Sequence, residues 1–158
     1  MANTRLLAAS PALVLMQDHR RIRQLFQDHA QLGPENPEGR ESLFRQIRHE
    51  LVLHGAIERD HVYPSMKDSL PSIWEDHAAI EGLMEKLAEM NVGDKSYDAL
   101  MKLLEENFSL HADGEERELF PRLNRLSPLA RQELTLKLEN AREQIGKPDE
   151  DPRSGKSL

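Results

Sequence analysis

A chain of 158 residues is long enough for one domain with a real core. Its 38% hydrophobic and 31% charged residues suit a small helical bundle with charged outer faces, and aromatics at 4% argue against a sheet protein. The lack of cysteine excludes disulfides, iron–sulfur clusters and thiol catalysis, and a formal charge of −7 with no basic face argues against a nucleic-acid partner.

The longest apolar stretch, Leu6 to Met16, is broken by Ser10-Pro11 and is too short to span a bilayer, so a cytoplasmic protein with no membrane partner is expected. Ser10 as a capping hydroxyl and Pro11 at the first helical position open a first helix that runs to about Leu32. Gly33 to Gly39 reads as a loop. A second helix runs from about Arg40 to Tyr63, where Pro64 bends or ends it. Ser69-Leu70-Pro71 opens a third helix lasting to about Met90, and Asn91 to Lys95 form the next turn. A fourth helix starts near Ser96 and reaches Phe120, before Pro121. Ser127-Pro128 opens a fifth that ends at Gly146. The domain is therefore 1–146, and residues 147–158, rich in Pro, Asp, Lys and Ser, read as a disordered tail.

The first four helices are one hairpin written twice. His54-Gly55-Ala56-Ile57-Glu58, leading to Tyr63-Pro64, recurs 57 residues on (54 to 111) as His111-Ala112-Asp113-Gly114-Glu115, leading to Phe120-Pro121. Upstream, Asp18-His19…Ile22 recurs 58 residues on (18 to 76) as Asp76-His77…Ile80. The same shifts pair Leu15 with Ile73, Leu25 with Leu83, Phe26 with Met84, Ile47 with Leu104 and Leu51 with Phe108, so apolar character survives in the repeat. Two such hairpins packed together make an antiparallel, up-down four-helix bundle, with the fifth helix added.

Helical spacing puts all six polar residues on core faces. Ile47, Leu51, His54 and Glu58 form one stripe, and Leu104, Phe108, His111 and Glu115 form its copy. Leu15, His19, Ile22 and Phe26 share a face, matched by Ile73, His77, Ile80 and Met84. A buried polar group without a partner costs roughly 1–3 kcal/mol, so six of them would cost about as much as a domain's whole stability. Metal ions satisfy such a set, binding neutral imidazoles and ionised carboxylates. A Glu one turn, about 6 Å, beyond a His is placed to bridge two ions while the His binds one of them. Two such helices give two bridges and two terminal imidazoles, and His19 and His77 add one imidazole to each ion. With about four protein ligands each, the ions keep positions for a bridging oxygen and an exogenous ligand.

The remaining histidines read differently. His49 and His54 are five apart, about 140° around the helix, and so cannot serve one ion as in the zinc-protease signature. His49 should face solvent, and His29 should lie at the end of the core or on the surface. His61, seven residues after His54, and Glu81, one turn after His77, are candidates for an extra ligand or a supporting contact. His61 and its repeat partner Glu118 are the nearby acid/base candidates.

Over Leu13 to Leu123 the pattern resembles the hemerythrin-like, or HHE cation-binding, family, on Asp18-His19…Ile22, His54-x-x-x-Glu58…Tyr63-Pro64, Asp76-His77…Ile80 and His111-x-x-x-Glu115…Phe120-Pro121. The resemblance implies a non-haem di-iron centre, two iron ions with an oxo or hydroxo bridge. It implies ligand roles for His19, His54, His77 and His111, and bridging roles for Glu58 and Glu115. Oxygen-carrying hemerythrins have five histidines, with His-x-x-x-His on the third helix and an Asp five residues after the fourth-helix His. Here Ile73 and Glu81 flank His77, and His111 is followed by Glu115. The set of four His and two Glu looks more like family members that sense iron or oxygen or that handle peroxide or nitric oxide. The expected function is binding or sensing of iron and small oxidants, the small-molecule partners being oxygen, peroxide or nitric oxide. The alternative is a di-iron enzyme that decomposes peroxide or reduces nitric oxide.

Overall fold

The computed structural model describes residues 10–66 and 71–145, with side chains at 71–75 and 145 left aside. The described residues are helical with no strand. Helix α1 spans Pro11–Gln31 and α2 Pro37–Ile57. Helix α3 spans Pro71–Glu89, α4 Tyr97–Gly114 and α5 Pro128–Ile145. Helix α1 packs on α2 and α3 on α4, each pair joined by a short loop, and α5 lies across α1 and α2. This is the antiparallel four-helix bundle of two hairpins, with an added C-terminal helix. The Ser69 start of α3, the packing of Ile73, the Gly146 end of α5 and the 147–158 tail lie outside the described residues.

Local chemistry explains the helix starts. Ser10 accepts from the Leu13 N–H at 3.2 Å, ahead of Pro11. Helix α2 begins at Pro37, three residues before the expected Arg40 (40 − 37), inside the stretch read as a loop. Asn36 caps it by accepting from the Gly39 N–H at 3.0 Å, so Pro37 marks a first turn rather than a break.

The other departure occurs twice. After Ile57 the α2 backbone widens into a π-helical turn, Glu58–Val62, followed by a 3-10 turn, Tyr63–Ser65. After Gly114 a second π turn covers Glu115–Leu119, and an α-helical turn, Phe120–Asn124, follows. The fourth helix therefore continues past Pro121 instead of stopping before it. The N–H groups of Tyr63 and Phe120, each just before the proline, bond five residues back to the carbonyls of Glu58 and Glu115. The widened turn takes up the helix register at the point where a proline cannot donate.

The core has two apolar layers. One contains Ile22, Phe26, Ile47, Leu51, Met84, Leu104 and Phe108. The other contains Leu15, Leu53, Ile57, Val62, Leu119, Phe120 and, from α5, Leu134 and Leu138. His19, His54, Glu58, His77, His111 and Glu115 are all buried. Along their helices they fall between residues of one layer and residues of the other.

Candidate metal centre

Both Glu side chains stand at the first residue of a π turn, one α-helical turn after their His. Four ligand atoms, one each from His54, Glu58, His111 and Glu115, lie within 4.8 Å of one another. His54 Nε2 meets Glu58 Oε1 and His111 Nε2 meets Glu115 Oε1. The cross distances are 3.9 Å from His54 Nε2 to Glu115 Oε1 and 3.7 Å from His111 Nε2 to Glu58 Oε1. His19 Nε2 is 4.0 Å from Glu115 Oε1. His77 lies at the other side, its ring 4.7 Å from that of His111, with Nε2 2.8 Å from the Tyr63 hydroxyl. So four of the six expected ligands form one tight cluster, His19 borders it, and His77 borders it through Tyr63.

The inward atoms crowd one another without hydrogen bonds. His19 Nε2, His54 Nε2, Glu58 Oε1 and both Glu115 carboxylate oxygens are buried without a hydrogen bond. Imidazole nitrogens and carboxylate oxygens converging in this way fit a first-row divalent metal. Without one, protons stand in for it. Burial pulls the His54 imidazole down, but Glu58 and Glu115 outweigh it and raise it to about 10. His111 is likewise opposed by burial and raised to about 10 by Glu115 and Glu58. Burial and then Glu58 push Glu115 up to about 7, whereas His54 and His111 hold Glu58 well below the usual carboxylate range against the effect of burial. Burial and the neighbouring His54 lower His19 to about 4, and burial first lowers His77 to about 4.

The outer ring nitrogens are held by acids. His54 donates from Nδ1 to Asp18 Oδ2 at 3.0 Å. His19 donates from Nδ1 to Glu116 Oε1 at 2.9 Å, and Arg23 holds the same oxygen at 2.8 Å. Asp76 Oδ2 is 3.8 Å from His111 Nδ1. Such partners fix ring orientation and tautomer. Asp18 stands before His19 in the repeated Asp-His pair, so its signal was in the sequence; its bond runs to His54 instead.

Tyr63 was missed as a site residue. Its hydroxyl donates to Glu58 Oε2 at 2.7 Å, and burial and Glu58 push its pKa up. In an α-helix a residue five places on is turned away; in the π turn, with its five-residue bonding, it returns toward the same face. The same change defeats the reading of His61 and Glu118. Val62 is fully buried where His61 was expected to point inward, and Glu118 is exposed beside Arg117. Glu81 pairs with Arg59 at 2.8 Å near the surface rather than with a ligand. His49 is exposed as expected, and buried His29 lies 2.9 Å from the Tyr97 hydroxyl at the end of the core.

A cavity of about 220 Å3 reaches the cluster from one side. His54, His77 and His111 line it within, and Arg48, Val52, Arg59, Glu81 and Glu85 are its exposed residues.

A helical bundle whose core clusters His and Glu ligand atoms without hydrogen bonds is a metal-binding domain. The family model described as the hemerythrin HHE cation binding domain matches residues 10–123, and the chain belongs to that family. No curated protein and no solved structure matches it. No helix among the described residues is long and apolar enough to cross a membrane.

Proposed function

We propose that this protein holds two iron ions in the bundle core and uses them to bind or sense a small oxidant: oxygen, peroxide or nitric oxide. The observation that carries this reading is the set of buried His and Glu atoms converging without hydrogen bonds, reached by a cavity lined by His77 and His111. In this reading His54, His111, His19 and His77 would hold the ions through imidazole nitrogens, and Glu58 and Glu115 would hold them through carboxylate oxygens. Bound there, the ions supply exchangeable coordination positions and electrons for a small oxidant. The chain's own residues shape that chemistry. Two apolar layers exclude water above and below, Glu116 and Asp18 hold the rings of His19 and His54, and Tyr63 keeps a hydroxyl between Glu58 and His77. Loading requires His54 and His111 to give up their protons, so metal binding releases protons and weakens toward acid pH.

Reconstitution without oxygen followed by elemental analysis tests this reading. Two irons per chain are expected; a stoichiometry near zero or one overturns the two-metal model. On air exposure the reduced protein should gain near-ultraviolet charge-transfer bands that azide or nitric oxide perturbs. Bands indifferent to every small ligand would mark a closed, structural site.

The second reading, an enzyme that decomposes peroxide or reduces nitric oxide, is favoured by the position of the Tyr63 hydroxyl, which contacts the cavity-lining His77. Tyr63→Phe, which places there the side chain the other hairpin carries as Phe120, tests it. Iron retained with multiple turnover lost supports the enzyme; turnover absent from the wild type sinks it.

A further inference from the structure

We propose that α5 is a clamp on the metal centre: through Asp18, Arg142 sets how firmly His54 is held as a ligand. This rests on the metal-site reading above and adds a means of regulating it from an element beyond residue 123, where the family match ends.

Asp18 is fully buried on α1 and serves three groups. Its Oδ2 accepts from His54 Nδ1 at 3.0 Å, and its Oδ1 takes Arg21 at 2.8 Å and Arg142 of α5. Arg142 also donates to Glu50 Oε2 on α2 at 3.2 Å, and Arg21 Nε reaches the same oxygen at 3.1 Å. The two guanidiniums and two carboxylates thus tie α1, α2 and α5 together directly behind a ligand ring. Leu138, one turn before Arg142, is fully buried and anchors that face of α5.

Among the described residues the second hairpin lacks this device. Asp76, the repeat partner of Asp18, has a side chain 48% exposed and lies 3.8 Å from His111 Nδ1. Ala79 stands where Arg21 would be and Asn107 where Glu50 would be. His111 is therefore an internal control for His54.

The physics gives the direction. A buried carboxylate that accepts from a ligand imidazole orients the ring and strengthens its metal bond. Without the Arg142 guanidinium, buried Asp18 loses a contact that fixes its rotamer and is freer to turn away from His54. Loss of Arg142 should therefore weaken one side of the site and spare the other.

Zinc, diamagnetic and redox-silent, serves as the probe in the full chain. Arg142→Gln should keep its helical content and bind one of two zinc equivalents about tenfold more weakly. In nuclear magnetic resonance spectra of the zinc-loaded protein, the His54 ring N–H signal should move toward the solvent-exchanging range while that of His111 stays. Lys137→Gln, removing the same charge from an exposed position on α5, should change neither. Arg142→Lys should recover part of the lost affinity, and it carries the test if the Gln variant unfolds. Equal weakening of both equivalents, or a His54 signal that does not move in either variant, overturns the clamp. A wild-type protein that takes up no zinc and no iron overturns the metal-site reading, and the clamp with it.

Discussion

The two hairpins start from one sequence pattern and end as different environments. Around His19 the bundle is sealed: its ring is fully buried, stacks on Phe120 with centroids 5.5 Å apart, and is braced by Glu116 and Arg23. Around His77 the copy is open. Tyr63 replaces Phe120, Gly55 replaces Ala112, and the cavity lies against the ring. Even the bracing ion pair is reversed. Arg59 stands in the place of Glu116 and Glu81 in the place of Arg23, so that pair still forms, at 2.8 Å, without offering the imidazole a carboxylate. A duplicated scaffold can thus keep its buried His and Glu while its halves diverge, one sealed around its imidazole and the other opening onto a cavity.

The largest expected effect ignores that divergence. His54→Ala and His111→Ala each strand buried carboxylates, and breaking a buried charged pair costs roughly 3–5 kcal/mol. Both variants should lose metal and melt on the order of 10 °C lower, by elemental analysis and calorimetry. His49→Ala, at an exposed position, should do neither. If His49→Ala and His111→Ala behave alike, the core face has been misassigned.

A middle-sized effect should separate the halves. A Cβ at Gly55 would lie 3.5 Å from His77 Nδ1, in ordinary contact, so a longer side chain can grow into the cavity. Gly55→Leu should retain iron yet respond to azide more weakly and more slowly, as read by titration and stopped-flow absorbance. An unchanged response would mean that ligands enter elsewhere and that the open half is not the entrance.

The smallest effect is a pH profile of the metal-free protein. His54 and His111, raised to about 10, contribute stability that is complete below their unfolded value near 6.5 and is lost as pH rises toward 10. His19 and His77, lowered to about 4, contribute stability that is present above 6.5 and is lost as pH falls toward 4. The melting temperature should therefore peak near neutrality and decline on both sides, and metal should flatten the alkaline limb. A monotonic profile would show that these imidazoles do not govern it.

Much of this was legible in the sequence because burial constrains it. The stripes through His54 and Glu58, and through His111 and Glu115, follow α-helical spacing up to each Glu, and all four residues are buried as that spacing predicts. Beyond Glu58 and Glu115 the π turns change the spacing, so α-helical arithmetic selected His61 and passed over Tyr63. The signal lay in the proline six residues after each Glu (58 to 64, 115 to 121), which asks the backbone to change register. Pro37 misled for the opposite reason: composition marks a proline as a break, whereas Asn36 before it makes a helix start. The grip of Arg142 on Asp18 joins residues far apart in sequence, and no periodicity reports that.

A helix can be thought of as a wave with a phase, and each π turn is a slip in that phase. The segment before Glu58 is tuned to turn Leu51 and His54 into the core; the segment after it is tuned to bury Val62 and turn Tyr63 inward. Straightening that turn into plain α-helix with every residue kept would bring the two segments back into step and turn everything downstream by about 100°, even though none of the buried His and Glu had been changed. The width of these turns is therefore part of the site's specification, and a one-residue deletion that takes up the slip should leave the faces downstream where they are.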